Sequence, residues 1–136
     1  MTYTRQVKLF LSVLTFLVMP FFAFSATGTI DAVNKYSRIM NDSVLGGTSQ
    51  INWQPTGVGT TTVTDSAITG YIWSSSFGFI NLAPTGAGVT NTTGGVLGGY
   101  AWGQNTGWIN FAPTGGGVSI STTTGEFSGY AWGQNT

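Results

Sequence analysis

Residues Gly99–Gly117 read GYAWGQNTGWINFAPTGGG, and this stretch decides the fold. Its first eight residues return unchanged as GYAWGQNT at Gly129–Thr136. A looser copy, GYIWSSSFGFINLAPTGAG, occupies Gly70–Gly88, and a partial copy, INWQPTGVG, occupies Ile51–Gly59. Much of the chain therefore consists of variants of one short motif.

The copies recur at a regular spacing. Their isoleucines, Ile51, Ile80 and Ile109, are 29 residues apart in both steps. The last copy carries one extra residue, because Gly99 and Gly129 are 30 apart. A fixed period of this size indicates a repeat architecture. Each unit is too small to bury its own apolar surface, so the units must stack or share a sheet.

Each copy alternates short aromatic or β-branched runs with turn residues, a pattern that predicts β-hairpins. The first strand ends at Trp102, a GQNTG loop of about five residues follows, and the second strand is Trp108–Phe111. Pro113 and its following glycines end that strand. Val118–Ser121 then reads as a third short strand.

The alternation also assigns side chains to faces. If Trp102 lies opposite Trp108, then Tyr100 lies opposite Asn110 and Ala101 opposite Ile109. Because successive side chains of a strand point to opposite faces, one face then carries Tyr100, Trp102, Trp108 and Asn110. The other face carries Ala101, Ile109 and Phe111.

Both faces of this hairpin are apolar, so we expect neighbouring units to cover both. The predicted fold is all-β, with tandem repeats of about 29 residues built from short antiparallel hairpins. The hairpins are expected to stack as a sandwich or a solenoid-like array. Asn52, Asn81 and Asn110 share one repeat position and would form an amide ladder in such a stack.

Composition fits one small folded domain with few charges. The chain has 136 residues, of which only 6% are charged and 14% are aromatic. The charged fraction is far below that of an average protein. The aromatic content argues against a disordered chain.

Residues Met1–Ser25 are predicted to be a secretory signal peptide. Arg5 and Lys8 give a basic start, Leu9–Phe24 is the apolar core, and small residues flank the predicted cut after Ser25. An uncleaved membrane anchor is the alternative, although the apolar run is short for a spanning helix. The expected location is secreted or at the cell surface.

The processed chain would be nearly neutral. Its net charge is 2 − 4 = −2, from these residues: Lys35, Arg38, Asp31, Asp42, Asp65 and Glu126. Such a surface predicts no nucleic-acid partner and, after cleavage, no membrane partner. The chain has no cysteine, so disulfides are excluded and stability must come from packing and sheet hydrogen bonds.

The two ends of the repeat region are irregular. Residues 26–50 are predicted to be an irregular first unit or N-terminal cap. In it, Gly28–Ile30 and Ala32–Tyr36 are predicted to form a degenerate strand, and Tyr36 replaces the tyrosine of later copies. Residues 51–136 form the β-repeat domain. The chain stops inside a hairpin loop, so we expect it to be truncated in mid-repeat and to self-associate through an unpaired C-terminal strand. A natural open end that pairs with another subunit is the alternative.

The motif GYAWGQNTGWINFAPTGGGVSI, with the opening GTIDAVNKY, resembles secreted tandem-repeat proteins of uncultivated candidate-phylum bacteria of the Parcubacteria type. The resemblance covers about residues 28–136. It implies an exported, all-β repeat protein and brings no catalytic residues with it. The chain departs from the pattern in its first unit and at Ser74–Phe77, where SSSF replaces GQNT.

The residue inventory argues against an enzyme. The chain has no histidine and no cysteine, so the usual general base, thiol nucleophile and commonest metal ligands are missing. The few acids are scattered, and the glycine runs lack the lysine of a phosphate loop. No aspartate-rich repeat of the calcium-binding kind is present. We therefore predict no enzymatic activity, no cofactor and no metal.

Two classes of function remain. The first is a structural or adhesive role at the cell surface or in the extracellular matrix. The second is a carbohydrate-binding module, in which Tyr100, Trp102 and Trp108 form a platform for sugar rings and Gln104 and Asn105 supply hydrogen bonds. Recurrence of tryptophan at one repeat position favours core packing between units instead. Exposure of the rings separates these interpretations.

Overall fold

The computed structural model describes residues 26–40 and 49–134. The predicted signal peptide, residues 41–48 of the predicted first unit and the last two residues lie outside the described residues. Within the described ranges the protein is all-β and contains no helix. The strands are β1 Thr27–Thr29, β2 Tyr36–Arg38, β3 Gln50–Asn52, β4 Thr62–Thr64, β5 Ala67–Thr69, β6 Tyr71–Ser74, β7 Gly78–Asn81, β8 Val89–Thr90, β9 Gly98–Gly103, β10 Gly107–Asn110, β11 Gly117–Ile120, β12 Phe127–Tyr130 and β13 Trp132–Gly133.

The hairpin predicted from the central motif has the predicted register. Strands β9 and β10 are antiparallel, with Trp102 opposite Trp108, Ala101 opposite Ile109 and Tyr100 opposite Asn110. The loop is shorter than predicted, because Gly103 still pairs with Gly107. Gly107, the first residue of the return strand, has a φ of 69°, a left-handed conformation that glycine adopts at no steric cost.

The same hairpin recurs in the neighbouring copies. Strands β6 and β7 pair with Tyr71 opposite Asn81, although their loop sequence differs. Strands β2 and β3 pair with Tyr36 opposite Asn52, so Tyr36 does take the place of the later tyrosines, as predicted. The pairing is determined locally, by a strand of alternating residues, the turn that follows it and the matching return strand.

Neighbouring hairpins join edge to edge into one antiparallel sheet, which we call the hairpin sheet. Its strands lie in the order β2-β3-β6-β7-β9-β10-β13. The joining register is equivalent at each step: Ile51 opposes Ser74, Ile80 opposes Gly103 and Ile109 opposes Gly133.

The intervening segments form a second set of strands. Strand β1 pairs with β4, β4 with β5, and β5 with β8. Strands β11 and β12 form a separate two-stranded sheet, and a bridge between Val96 and Ser119 links it to the segment before β9.

Strand β9 belongs to both sets. Its first residues, Gly98 and Gly99, pair with β8, and its remainder pairs with β7 and β10. The change of direction falls at Gly99, which has a φ of 73°. A Cβ atom there would collide with the carbonyl oxygen of Gly88, so only glycine fits the bend.

Both sets of strands contribute to one hydrophobic core. The second set of strands contributes Ile68 and Val89, and the segment just before β9 contributes Leu97. The hairpin sheet contributes Ile72, Ile80 and Ala101. Leu82 and Phe111, just after β7 and β10, complete the cluster. Trp53 packs edge-on against Phe111, with ring centroids 6.4 Å apart.

Residues 31–35 correct the prediction for the first unit. The predicted strand Ala32–Tyr36 is a turn up to Tyr36, because Asp31 holds the chain there. Its Oδ1 accepts hydrogen bonds from the backbone amides of Val33, at 2.9 Å, and Asn34, at 2.7 Å. Aspartate commonly closes turns in this way.

This turn is expected to weaken in acid. The amides of Asn34 and Val33 lower the pKa of Asp31 below its ordinary value of 3.8. The stabilisation is therefore fully present above pH 3.8 and is lost as the pH falls through the folded pKa. Amide hydrogen exchange at Val33 and Asn34 should accelerate at low pH relative to the same residues in Asp31→Asn. Equal pH dependence in both proteins would contradict this role for the carboxylate.

Candidate functional site

One face of the hairpin sheet carries most of the exposed aromatic side chains among the described residues. The pairing register arranges them in three staggered rows, each beginning Tyr–Asn–Trp across neighbouring strands. We call this surface the aromatic face. Its rows are Tyr36–Asn52–Trp73–Phe79, Tyr71–Asn81–Trp102–Trp108 and Tyr100–Asn110–Trp132.

The rows follow from alternation and register together. In the β6–β7 and β9–β10 hairpins, one strand contributes the sequence Tyr-x-Trp, and the return strand contributes an aromatic residue and asparagine two apart. The β2–β3 hairpin contributes only Tyr36 and Asn52. Residues two apart in a strand point to the same side of the sheet. Equivalent register between hairpins then places the rows side by side on one surface.

The central hairpin holds three of the five residues predicted as a ligand platform in close contact. The ring centroids of Trp102 and Trp108 are 4.9 Å apart at 68°, and those of Tyr100 and Trp108 are 6.3 Å apart at 82°. Such edge-to-face pairs contribute about 0.5–1.5 kcal/mol beyond area burial. The three rings therefore pack against one another and hold each other in place on the surface.

These rings are not buried between units. Tyr100, Trp102 and Trp108 are 46%, 42% and 38% exposed. The expectations that neighbouring units cover both faces, and that the recurring tryptophans are core residues, are therefore wrong for this face. The physical reason is that the second set of strands packs on the opposite face, over Ala101 and Ile80.

Gln104 and Asn105 lie at the tip of the same hairpin and are both exposed. The side-chain amide of Asn105 faces the tip of the neighbouring hairpin, since a Cβ atom on Gly78 would lie 3.4 Å from its Nδ2. The structure thus places all five predicted site residues on one hairpin. The rings lie along its strands, and the two amides lie at its end.

The predicted amide ladder is wrong. Asn52, Asn81 and Asn110 are separated from one another by aromatic residues in the rows. Each side-chain oxygen instead accepts a hydrogen bond of 2.9 Å from the backbone amide two residues further on. This Asx turn ends each return strand, which explains asparagine at this repeat position.

Sequence reasoning confined the platform to one hairpin and missed the rest of the face. The missed residues are Tyr36, Tyr71, Trp73, Phe79 and Trp132. Each occupies a position equivalent to Tyr100, Trp102 or Trp108 in another copy. The repeat spacing was the signal that would have found them.

The three rows carry no acidic or basic side chain. The nearest cations lie at the Tyr36 edge, where the Lys35 Nζ is 5.8 Å from the Tyr36 ring centroid. Arg38, two residues further along β2, is exposed on the same side of the sheet as Tyr36. Away from this edge, a surface of aromatic rings and amides suits the apolar faces of an uncharged ligand better than an ionic one.

Other parts of the described chain offer less for chemistry. No group of three acidic, histidine or cysteine side chains within residues 26–40 and 49–134 is arranged to hold a metal ion. A polar concavity of about 300 Å³ is lined by Lys35, Gln54 and the turn at 55–60. Asp31 and Glu126 hydrogen-bond locally, to Asn34 and Thr124.

A search for membrane-spanning helices among the described residues finds none.

Comparisons with known proteins complete the description of the site. The chain matches no protein-family model, no curated protein and no solved structure.

Proposed function

We propose that this chain is an exported, non-enzymatic repeat protein with a structural or adhesive role at the cell surface or in the extracellular matrix. The observation that carries the proposal is the aromatic face, a broad surface whose three rows carry no charge and are left open to solvent. Exposed apolar patches of this kind on a folded protein commonly mark interaction sites. Export is supported by the apolar, basic-flanked leader in the sequence.

The tandem-repeat arrangement is part of this proposal. Its support is the equivalent register of successive hairpins and the recurrence of Tyr opposite Asn in three of them. In such an array each added unit would lengthen the aromatic face by one row. A longer protein would then bind more strongly through many weak contacts, as multivalent surfaces do.

Carbohydrate is the ligand class that the face favours. Sugar rings present apolar C–H faces to aromatic rings and hydroxyls to amide groups, and the face offers both. Exposure of Tyr100, Trp102 and Trp108 removes the main objection to this function, which was burial between units. The absence of charge in the rows favours a neutral polysaccharide.

The first test is binding of the exported protein to insoluble neutral polysaccharides, such as cellulose and chitin, followed by tryptophan fluorescence with iodide quenching. We expect quenchable emission that one of these glycans protects. Emission that iodide quenches equally with and without every glycan would argue against carbohydrate. Concentration-dependent association without any glycan, if Trp102→Ala with Trp108→Ala abolishes it, would identify a second copy of the chain as the occupant of the face.

Removing two central rings should abolish most of this affinity. Trp102→Ala with Trp108→Ala is expected to weaken glycan binding by about 100-fold, taking stacking at about 1–3 kcal/mol per ring by analogy with base–aromatic stacking. Val96→Ala is the matched control, because Val96 is also an exposed apolar residue but lies outside the three rows. Equal affinity in the double variant and the control would show that the aromatic face is not the binding surface.

A further inference from the structure

The first described residue is tied to a turn far along the chain. The backbone nitrogen of Ala26 donates a hydrogen bond of 2.9 Å to the Oδ2 of Asp65. Asp65 lies in the turn between β4 and β5. Strand β1 begins at the next residue, Thr27, which pairs with Thr64 beside the same turn.

The sequence predicts that this nitrogen becomes a chain terminus. Small residues at positions 23 and 25 mark a leader-peptidase cut after Ser25, which would leave Ala26 as the first residue. The atom that contacts Asp65 is therefore the atom that processing would free. We propose that the Ser25–Ala26 bond is the processing site and that Asp65 receives the α-ammonium group formed there; this rests on the proposed export.

The chemistry of the cut changes the contact. Hydrolysis adds water across the Ser25–Ala26 bond, breaks its C–N bond and leaves a carboxylate on the leader. The released amine takes up a proton and carries a positive charge, since its ordinary pKa is about 7.7–8.0. A neutral amide donor thus becomes a cation, and the hydrogen bond to the carboxylate becomes charge-assisted.

The contact between Ala26 and Asp65 lies where it can hold an edge strand in the sheet. Strand β1 lies at one end of the strand order, pairs with β4, and is exposed along its three residues. The new ion pair would fasten this edge strand only after the leader is gone. Strands β4 and β5 carry no ionisable side chain, so Asp65 is the ionisable group on the elements beside Ala26.

The processing site is tested by N-terminal sequencing of the exported full-length chain. We expect the sequence to begin at Ala26. A different first residue would overturn the proposed site while leaving export intact. Retention of the uncleaved chain in the cell would instead overturn the proposed export.

The role of Asp65 is tested by an NMR pH titration of the Ala26 α-amino group in the processed chain, which contains every described strand. We expect its pKa to be about 0.5 unit higher in the wild type than in Asp65→Asn. Glu126→Gln is the control, because it removes another acid that lies close to a turn, and should leave the pKa unchanged. Equal pKa values in the wild type and Asp65→Asn would overturn the pairing.

A second variant separates the contact from any effect on folding. One glycine inserted before Ala26 keeps Asp65 but moves the amine away, and should lower the α-amino pKa to its ordinary value. The wild type should lose stability as the pH rises from about 7.7 through the folded pKa, since the raised pKa means that the charged form stabilises the fold. The same loss in the glycine-inserted chain would contradict the proposal.

Discussion

Gly99→Ala is expected to destabilise the protein by about 4 kcal/mol or more, at the upper end of the effects of single substitutions. Gly99 is the bend at which β9 passes from the second set of strands to the hairpin sheet. Its φ of 73° already costs alanine about 1–2 kcal/mol. The added methyl group would also collide with the Gly88 carbonyl oxygen, which accepts a 3.1 Å hydrogen bond from Tyr100.

The chain supplies a matched control for this variant. Gly115 has a φ of 79°, similar to that of Gly99, but no atom lies within 4 Å of the position of its added Cβ. Gly115→Ala should therefore show only the conformational cost of about 1–2 kcal/mol. Urea unfolding followed by tryptophan fluorescence measures both. Equal losses in the two variants would mean that the close approach of Gly99 to Gly88 does not control stability.

Ile80→Ala is expected to cost about 3–4 kcal/mol. Ile80 is fully buried in the core and packs where both sets of strands meet. Truncation removes apolar area and leaves a cavity, and the neighbouring β-sheet backbone is poorly able to collapse into it. The effect should appear as a lower urea midpoint with an unchanged dependence of the unfolding free energy on urea concentration.

The adjacent residue tests the assignment of the two faces. Phe79 is larger than Ile80 but is 45% exposed on the aromatic face. Phe79→Ala should therefore cost about 1 kcal/mol or less, although it removes more atoms. A greater loss from Phe79→Ala than from Ile80→Ala would mean that the aromatic face is covered and that the buried and open faces are assigned the wrong way round.

The hairpins are the part of the fold that the sequence predicts best. The pairing of Trp102 with Trp108 and the place of Tyr36 at the tyrosine position are confirmed, since both depend on alternation along a strand. The hairpin tip was predicted too long because glycine looks like loop in a sequence, whereas Gly103 and Gly107 continue the ladder. The turn at Asp31 was missed because its apolar neighbours resemble a strand.

The candidate site was predicted in part for a related reason. The five platform residues were found on one hairpin, but their extension into three rows requires the register between hairpins. That register is set by edge-to-edge pairing, as between Asn81 and Trp102, which joins residues 21 positions apart and leaves no local signal.

Sequence alone therefore determined the all-β class, the hairpin register and which side chains share a face. Only the tertiary structure decided which face is open to solvent. Both faces of the hairpin are apolar, so hydrophobic alternation cannot distinguish them. The face that the second set of strands covers becomes the buried one. The bend at Gly99 directs that set toward Ile80 and Ala101 and away from Trp102.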